Sequence, residues 1–125
     1  MVQECMVCHG TKEAQRGPIL NGMETWYLTD QLEKFRAGIR GARASNRSEL
    51  LMGVGVKKIE SDFELAYLAD WFAGQAPVPA IRAVTGGLEK GKAFYEERCA
   101  SCHGAEGEGN RLVRGPSLQR LEGWY

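Results

Sequence analysis

The sequence predicts an all-α chain of two helical units in tandem, the second of them incomplete. Three observations carry this expectation. Apolar residues recur at helical spacing in several stretches, and none shows the sustained alternation of a strand. One short pattern occurs near residue 5 and again near residue 99, each time followed by similar residues in the same order. Between the copies, residues 75–87 contain Pro77, Pro79, Gly86 and Gly87 and read as a linker.

Each element follows from local chemistry. Residues 25–37 read as a helix, with Leu28, Leu32, Phe35 and Ile39 on one face and Gly38 and Gly41 ending it. Ser61-Asp62-Phe63-Glu64 is a capping box in which Ser61 caps and Glu64 reaches back. The run behind it puts Leu65, Leu68, Ala69 and Phe72 on one face and stops at Gly74. Residues 88–98 form the next helix and carry Phe94 and Tyr95. The expected organisation is therefore a first domain over 1–76, a linker over 77–87 and the N-terminal half of a second domain over 88–125.

At 125 residues the chain has room for one ordinary domain or two very small ones. No apolar run is long enough to span a bilayer, and the first residues show no signal-peptide pattern. Sixteen Lys and Arg balance sixteen Asp and Glu, so net charge gives no reason to expect a nucleic-acid partner. Locally the charges are uneven. Lys34, Arg36, Arg40, Arg43 and Arg47 crowd one stretch, and Glu96, Glu97, Glu106 and Glu108 lie near the second pattern. Solvated faces explain most such runs; the sharper reading is that the basic stretch balances a bound carboxylate or docks a redox partner.

The repeated pattern is chemical. Four cysteines form the pairs Cys5/Cys8 and Cys99/Cys102, and the two histidines, His9 and His103, each directly follow a pair. Cys-x-x-Cys-His is the attachment pattern of c-type haem. Two thiols three residues apart on a turn reach the vinyl groups on one porphyrin edge, and the adjacent histidine swings under the ring to ligate iron. The cofactor also supplies apolar surface that so short a chain could not otherwise bury. Disulfide, thioredoxin-like and zinc readings compete. The thioredoxin-like one needs a βαβ setting that is not seen, and a four-cysteine zinc site leaves both histidines unexplained.

The copies continue alike. Gly17-Pro18-Ile19-Leu20 and Glu24-Thr25-Trp26-Tyr27 follow the first; Gly115-Pro116-Ser117-Leu118 and Glu122-Gly123-Trp124-Tyr125 follow the second, after a longer Gly- and Glu-rich loop over 104–110. Only four residues precede the first motif, whereas a helix precedes the second; the first copy runs on after Trp26-Tyr27, whereas the second stops. One copy lacks its head and the other its tail, as in a window cut from a longer two-domain chain. A domain-swapped partner supplying the missing parts is the alternative.

In order, the residues are Cys-x-x-Cys-His, Gly17-Pro18-Ile19-Leu20, Trp26-Tyr27-Leu28, the stretch from Phe35 through Gly38 and Arg40 to Gly41, Met52, and a capped helix rich in Leu, Ala and aromatics. Over nearly its whole length the chain resembles class I cytochrome c domains, in particular the diheme cytochromes of the c4 type. The haem motifs are the specific part; the rest fits several related one- and two-haem cytochromes. The resemblance implies two c haems, held through Cys5/Cys8 and Cys99/Cys102, with His9 and His103 below the irons and Met52 above the first. Met1, Met6 and Met23 compete less well, and no methionine follows Cys102. It implies that the carbonyls of Pro18 and Pro116 accept the other ring hydrogen of the histidines, although both could be ordinary turn prolines. Trp26 and Tyr27 would donate to a haem propionate whose charge Arg40 or Arg43 balances; core aromatics with solvated arginines are the plain alternative. Gly91 and Tyr95 match a helix crossing.

The implied role is electron transfer outside the cytoplasmic membrane, in the periplasm of a bacterium, with a signal peptide ahead of this window. The implied partners are redox proteins such as a terminal oxidase or a quinol-oxidising complex. Diheme peroxidases and thiosulfate-oxidising cytochromes use the same motif with one unusual iron site, so an enzyme is the rival reading, as is a cytochrome domain pair of a larger oxidoreductase.

Overall fold

The computed structural model describes residues 1–10, 17–43, 45–78 and 86–121. The Trp124-Tyr125 repeat and Pro79 lie outside them. The chain divides into two compact units, Met1–Ala76 and Pro77–Tyr125. Among the described residues every regular element is helical.

In the first unit α1 spans Val2–His9, α2 Thr25–Arg36, α3 Arg47–Gly55 and α4 Asp62–Ala73, with a 3-10 turn, Val56–Lys58, after α3. Helix α2 packs chiefly against α4. Between and around them lies a core that includes Leu28, Phe35, Val56, Ile59, Leu65, Leu68, Ala69 and Phe72. Each fully buried large aliphatic or aromatic side chain here stabilises the unit by about 1.5–3 kcal/mol relative to exposure. The bond from the Gly22 N–H to the Phe72 carbonyl, 2.9 Å, ties the approach to α2 onto the end of α4.

The ends of α2 and α4 show why they stop. Beyond α2, Gly38 takes φ 71°. Its N–H bonds the Phe35 carbonyl at 3.1 Å, and the Ile39 N–H bonds the Lys34 carbonyl at 2.9 Å. These two bonds form a Schellman ending. It turns the chain off the helix axis, so Ile39, which periodicity placed on the buried face, is 75% exposed. At α4 the Ser61 hydroxyl accepts from the Glu64 N–H at 3.2 Å, while the Glu64 carboxylate accepts from the N–H of Glu60, one residue before the cap, at 2.7 Å. Gly74 ends α4 in the right-handed region, φ −76°, so this terminus does not use the left-handed freedom of glycine.

Helix α3 was not read from the sequence, because Gly53 and Gly55 weaken its helical propensity. Asn46 caps it, accepting from the Glu49 N–H at 2.8 Å.

In the second unit α5 spans Leu88–Arg98 and α6 Ala100–His103, followed by a 3-10 turn, Arg111–Val113. No hydrophobic side chain between residues 86 and 121 is buried. Backbone bonds shape this unit instead: Gly109 N–H to His103 carbonyl at 2.7 Å, Leu118 N–H to Gly107 carbonyl at 2.8 Å, and a reciprocal pair between Asn110 and Gly115 at 2.7 and 2.9 Å. The Tyr95 hydroxyl donates to the Gly104 carbonyl at 2.6 Å. A Cβ on Gly91 would meet nothing within 4 Å, so the expected helix crossing is not seen there.

Candidate haem-binding sites

The first motif lies wholly on α1. On a helix, positions three and four apart share a face, so Cys5 aligns with both Cys8 and His9. Cys5 packs against the core cluster of Phe35, Val56, Ile59, Leu65 and Leu68. Burial pushes its thiol above the ordinary value, against the pull of the N-terminal ammonium. Neither cysteine is in a disulfide, nor are Cys99 and Cys102. The second motif starts at the break between α5 and α6, with Cys99 as the joint and His103 ending α6.

Each histidine is oriented by one bond. His9 Nδ1 lies 2.7 Å from the Pro18 carbonyl oxygen, and His103 Nδ1 lies 2.8 Å from that of Pro116. A proline carbonyl can only accept. The Nδ1 atoms must therefore carry a proton, and a ring in its neutral form presents its Nε2 lone pair on the other side. Such a bond fixes the tautomer and makes a histidine ligand more basic. Burial pushes His9 towards its neutral, ligand-competent form, and the Pro18 bond acts in the opposite direction.

The glycines beside these prolines matter as much, and the sequence reading missed their role. A Cβ on Gly17 would stand 2.5 Å from His9 Cε1 and 2.8 Å from Nδ1. Only a bare backbone lets the chain pass flat against that ring. A Cβ on Gly115 would collide with the Cys102 carbonyl. The repeat of Gly-Pro after both motifs was the available signal.

The residues thus fit a covalently held haem: cysteines at the attachment spacing that form no disulfide, and an adjacent imidazole whose Nδ1 is held by a proline carbonyl. Among the described residues no three His, Cys, Asp or Glu side chains converge as a cage for a bare metal ion.

The profile of the cytochrome c family matches residues 88–125. Cytochrome c4 of Azotobacter vinelandii is 30% identical over 97% of this chain and 63% of its own length. The structure of cytochrome c4 from Acidithiobacillus ferrooxidans superposes with a TM-score of 0.75 at 26% identity, covering 96% of this chain and 74% of that one. Its second unit matches the cytochrome c family, and along nearly its whole length the chain is similar to cytochromes c4. It is also similar to thiosulfate dehydrogenase TsdBA from Marichromatium purpuratum, TM-score 0.69 and 26% identity, over 94% of this chain and 26% of that one. The chain spans about three-fifths of the curated cytochrome c4 it matches, 63%.

The remaining residues of interest surround the first site. Met52 lies on α3, half-buried, and packs against the same core cluster as Cys5. Met23 is buried as core. Trp26 and Tyr27, half-buried on the first turn of α2, meet edge to face at 5.9 Å between centroids. Arg40 meets Glu49 at 3.1 Å, Gln31 at 2.6 Å, and the Phe35 ring, whose centroid is 4.6 Å from its guanidinium carbon. Arg43 is exposed. Near the second site, backbone N–H groups of residues 108, 106 and 105 hold the Glu108 carboxyl below its ordinary value.

Proposed function

We propose that this cytochrome carries two c haems, through Cys5/Cys8 and Cys99/Cys102, and transfers electrons between redox proteins outside the cytoplasmic membrane. The observation that carries the reading is the doubled histidine geometry, the same Nδ1 bond to a proline carbonyl at 2.7 and 2.8 Å, one after each attachment motif. Bound haem supplies a one-electron ferric/ferrous couple.

The chain's own work is to keep the ligands still. His9 and His103, anchored by Pro18 and Pro116, serve as the proximal ligands. Met52 serves as the distal ligand of the first haem, where a thioether favours the ferrous state and raises the potential. Trp26, Tyr27 and a basic residue of the 40–43 stretch attend the propionates. Ligands fixed in both oxidation states leave little to reorganise when the electron moves. No described helix is long and apolar enough to cross a membrane. Redox proteins such as an oxidase or a quinol-oxidising complex are the partners this chemistry suits.

The likeness to TsdBA favours a second reading, oxidation of thiosulfate at one of the haems. The two are separated by adding cyanide, carbon monoxide and thiosulfate to the purified protein. A carrier keeps its first haem low-spin and unreactive and is not reduced catalytically by thiosulfate. Steady thiosulfate-dependent reduction of an electron acceptor would overturn the carrier reading.

A further inference from the structure

We propose that Arg40 and Glu49 form a positioning clamp that holds the Met52 helix in place; this rests on the reading of Met52 as a haem ligand. Helix α3 has nine residues, contains two glycines and buries none of its own side chains. Apolar packing alone does not pin it. Two contacts from residues 40 and 41 add to the packing of Met52, and a further one anchors Arg40 to α2.

The first is the ion pair of Arg40 Nε with Glu49 Oε1 at 3.1 Å, both side chains largely shielded, at 30% and 25% exposure. The second joins that pair to α2: Arg40 Nη1 donates to Gln31 Oε1 at 2.6 Å, and its guanidinium lies over Phe35, a member of the core. The third is a backbone crossing. Gly41, at φ 78°, lies so close to α3 that a Cβ on it would stand 2.9 Å from the Glu49 carbonyl oxygen and from Gly53 Cα.

Glu49, Met52, Gly53 and Val56 fall at i, i+3, i+4 and i+7, one face of the helix. The clamp therefore grips the face that carries Met52, one turn before it and one residue after it. An exposed ion pair would contribute little. This one is partly shielded, stacked on an aromatic ring and joined to a second helix, the setting in which a charge-assisted bond counts.

The test is made on the full, haem-loaded chain. Methionine on ferric haem gives a long-wavelength sulfur-to-iron charge-transfer band, and its loss in Met52→Ala assigns that band to the first haem. If the band survives Met52→Ala, the ligand reading itself fails, and the clamp with it. With the band assigned, Arg40→Ala and Glu49→Gln should each weaken it. Each should also tighten imidazole binding to the ferric protein by about tenfold, because the methionine-off population rises by that factor. The double variant should add little to either single one, and Arg40→Lys should restore part of the effect. Glu49→Gln keeps the backbone N–H that Asn46 caps, so α3 still forms, and circular dichroism checks that it does. An unchanged band and imidazole affinity in Glu49→Gln, with an effect confined to Arg40→Ala, would overturn the clamp and leave Arg40 acting on a propionate alone.

Discussion

Around His9 and around His103 the chain makes the same bond to a proline carbonyl, within 0.1 Å, yet the surroundings of the two rings differ. His9 is 9% exposed, in a unit with a core to which α2 and α4 both contribute. His103 is half-buried at the end of a four-residue helix, in a unit where no hydrophobic side chain between residues 86 and 121 is buried. The motif thus orients its histidine without help from a hydrophobic core. Short-range bonds suffice: the Gly17 N–H returns to the Cys8 carbonyl at 3.1 Å in one site, and the Gly109 N–H returns to the His103 carbonyl at 2.7 Å in the other. What the core adds in the first unit is a platform against which Met52 packs.

The largest test of this contrast removes the thioether bonds one site at a time. Cys99→Ala with Cys102→Ala should leave the amides of α5 and α6 almost unprotected in hydrogen exchange, since on the proposed reading a covalently held haem would supply the apolar burial that unit lacks. Cys5→Ala with Cys8→Ala should leave α2 and α4 measurably protected. Equal protection in both variants would break the comparison.

Next in size is Leu68→Ala, which removes a fully buried side chain and should cost the first unit about 2–5 kcal/mol in denaturant unfolding. Exchange in α5 should not change. A similar loss in both units would mean that they unfold as one.

Gly17→Ala forces a methyl group against the His9 ring and should cost about 1–3 kcal/mol, the usual range for overpacking. It should also shift the reduction potential of the first haem alone, read by potentiometry. The smallest effect is expected from Glu108→Gln. The Glu108 carboxylate accepts from the Glu106 N–H at 2.8 Å, and its lowered value means that the ionised form is favoured in the folded loop. Its contribution is complete above the ordinary glutamate range and is lost as pH falls through the lowered value. Glu108→Gln should flatten that acid-side dependence of loop exchange without altering the first unit.

Much of this was legible in the residues, for identifiable reasons. The buried face of Leu65, Leu68, Ala69 and Phe72 follows from periodicity and from the Ser61 cap, which are local. Ile39 was misplaced because a Schellman turn at Gly38 depends on backbone geometry that a periodicity count ignores. Helix α3 escaped because its glycines argue against it, although Asn46-x-x-Glu49 carries a capping signal. Arg40 shows the limit most clearly. Its type and place suggested charge balance for a carboxylate, but its partners Gln31 and Glu49 lie nine residues away on either side and meet only once α2 and α3 are packed. Gly17 and Gly115 were visible as a repeat, while their purpose, letting the chain lie against His9 and Cys102, required coordinates.

The central claim, one covalent haem at each of two motifs that orient their histidines alike, is tested most directly by counting haem. The reduced alkaline pyridine haemochrome spectrum of purified protein, matured in a host that attaches c-type haem and quantified by amino-acid analysis, should give two c haems per chain. A count of one would contradict the equivalence of the two motifs, and a count of zero would return the cysteines to disulfide or zinc chemistry.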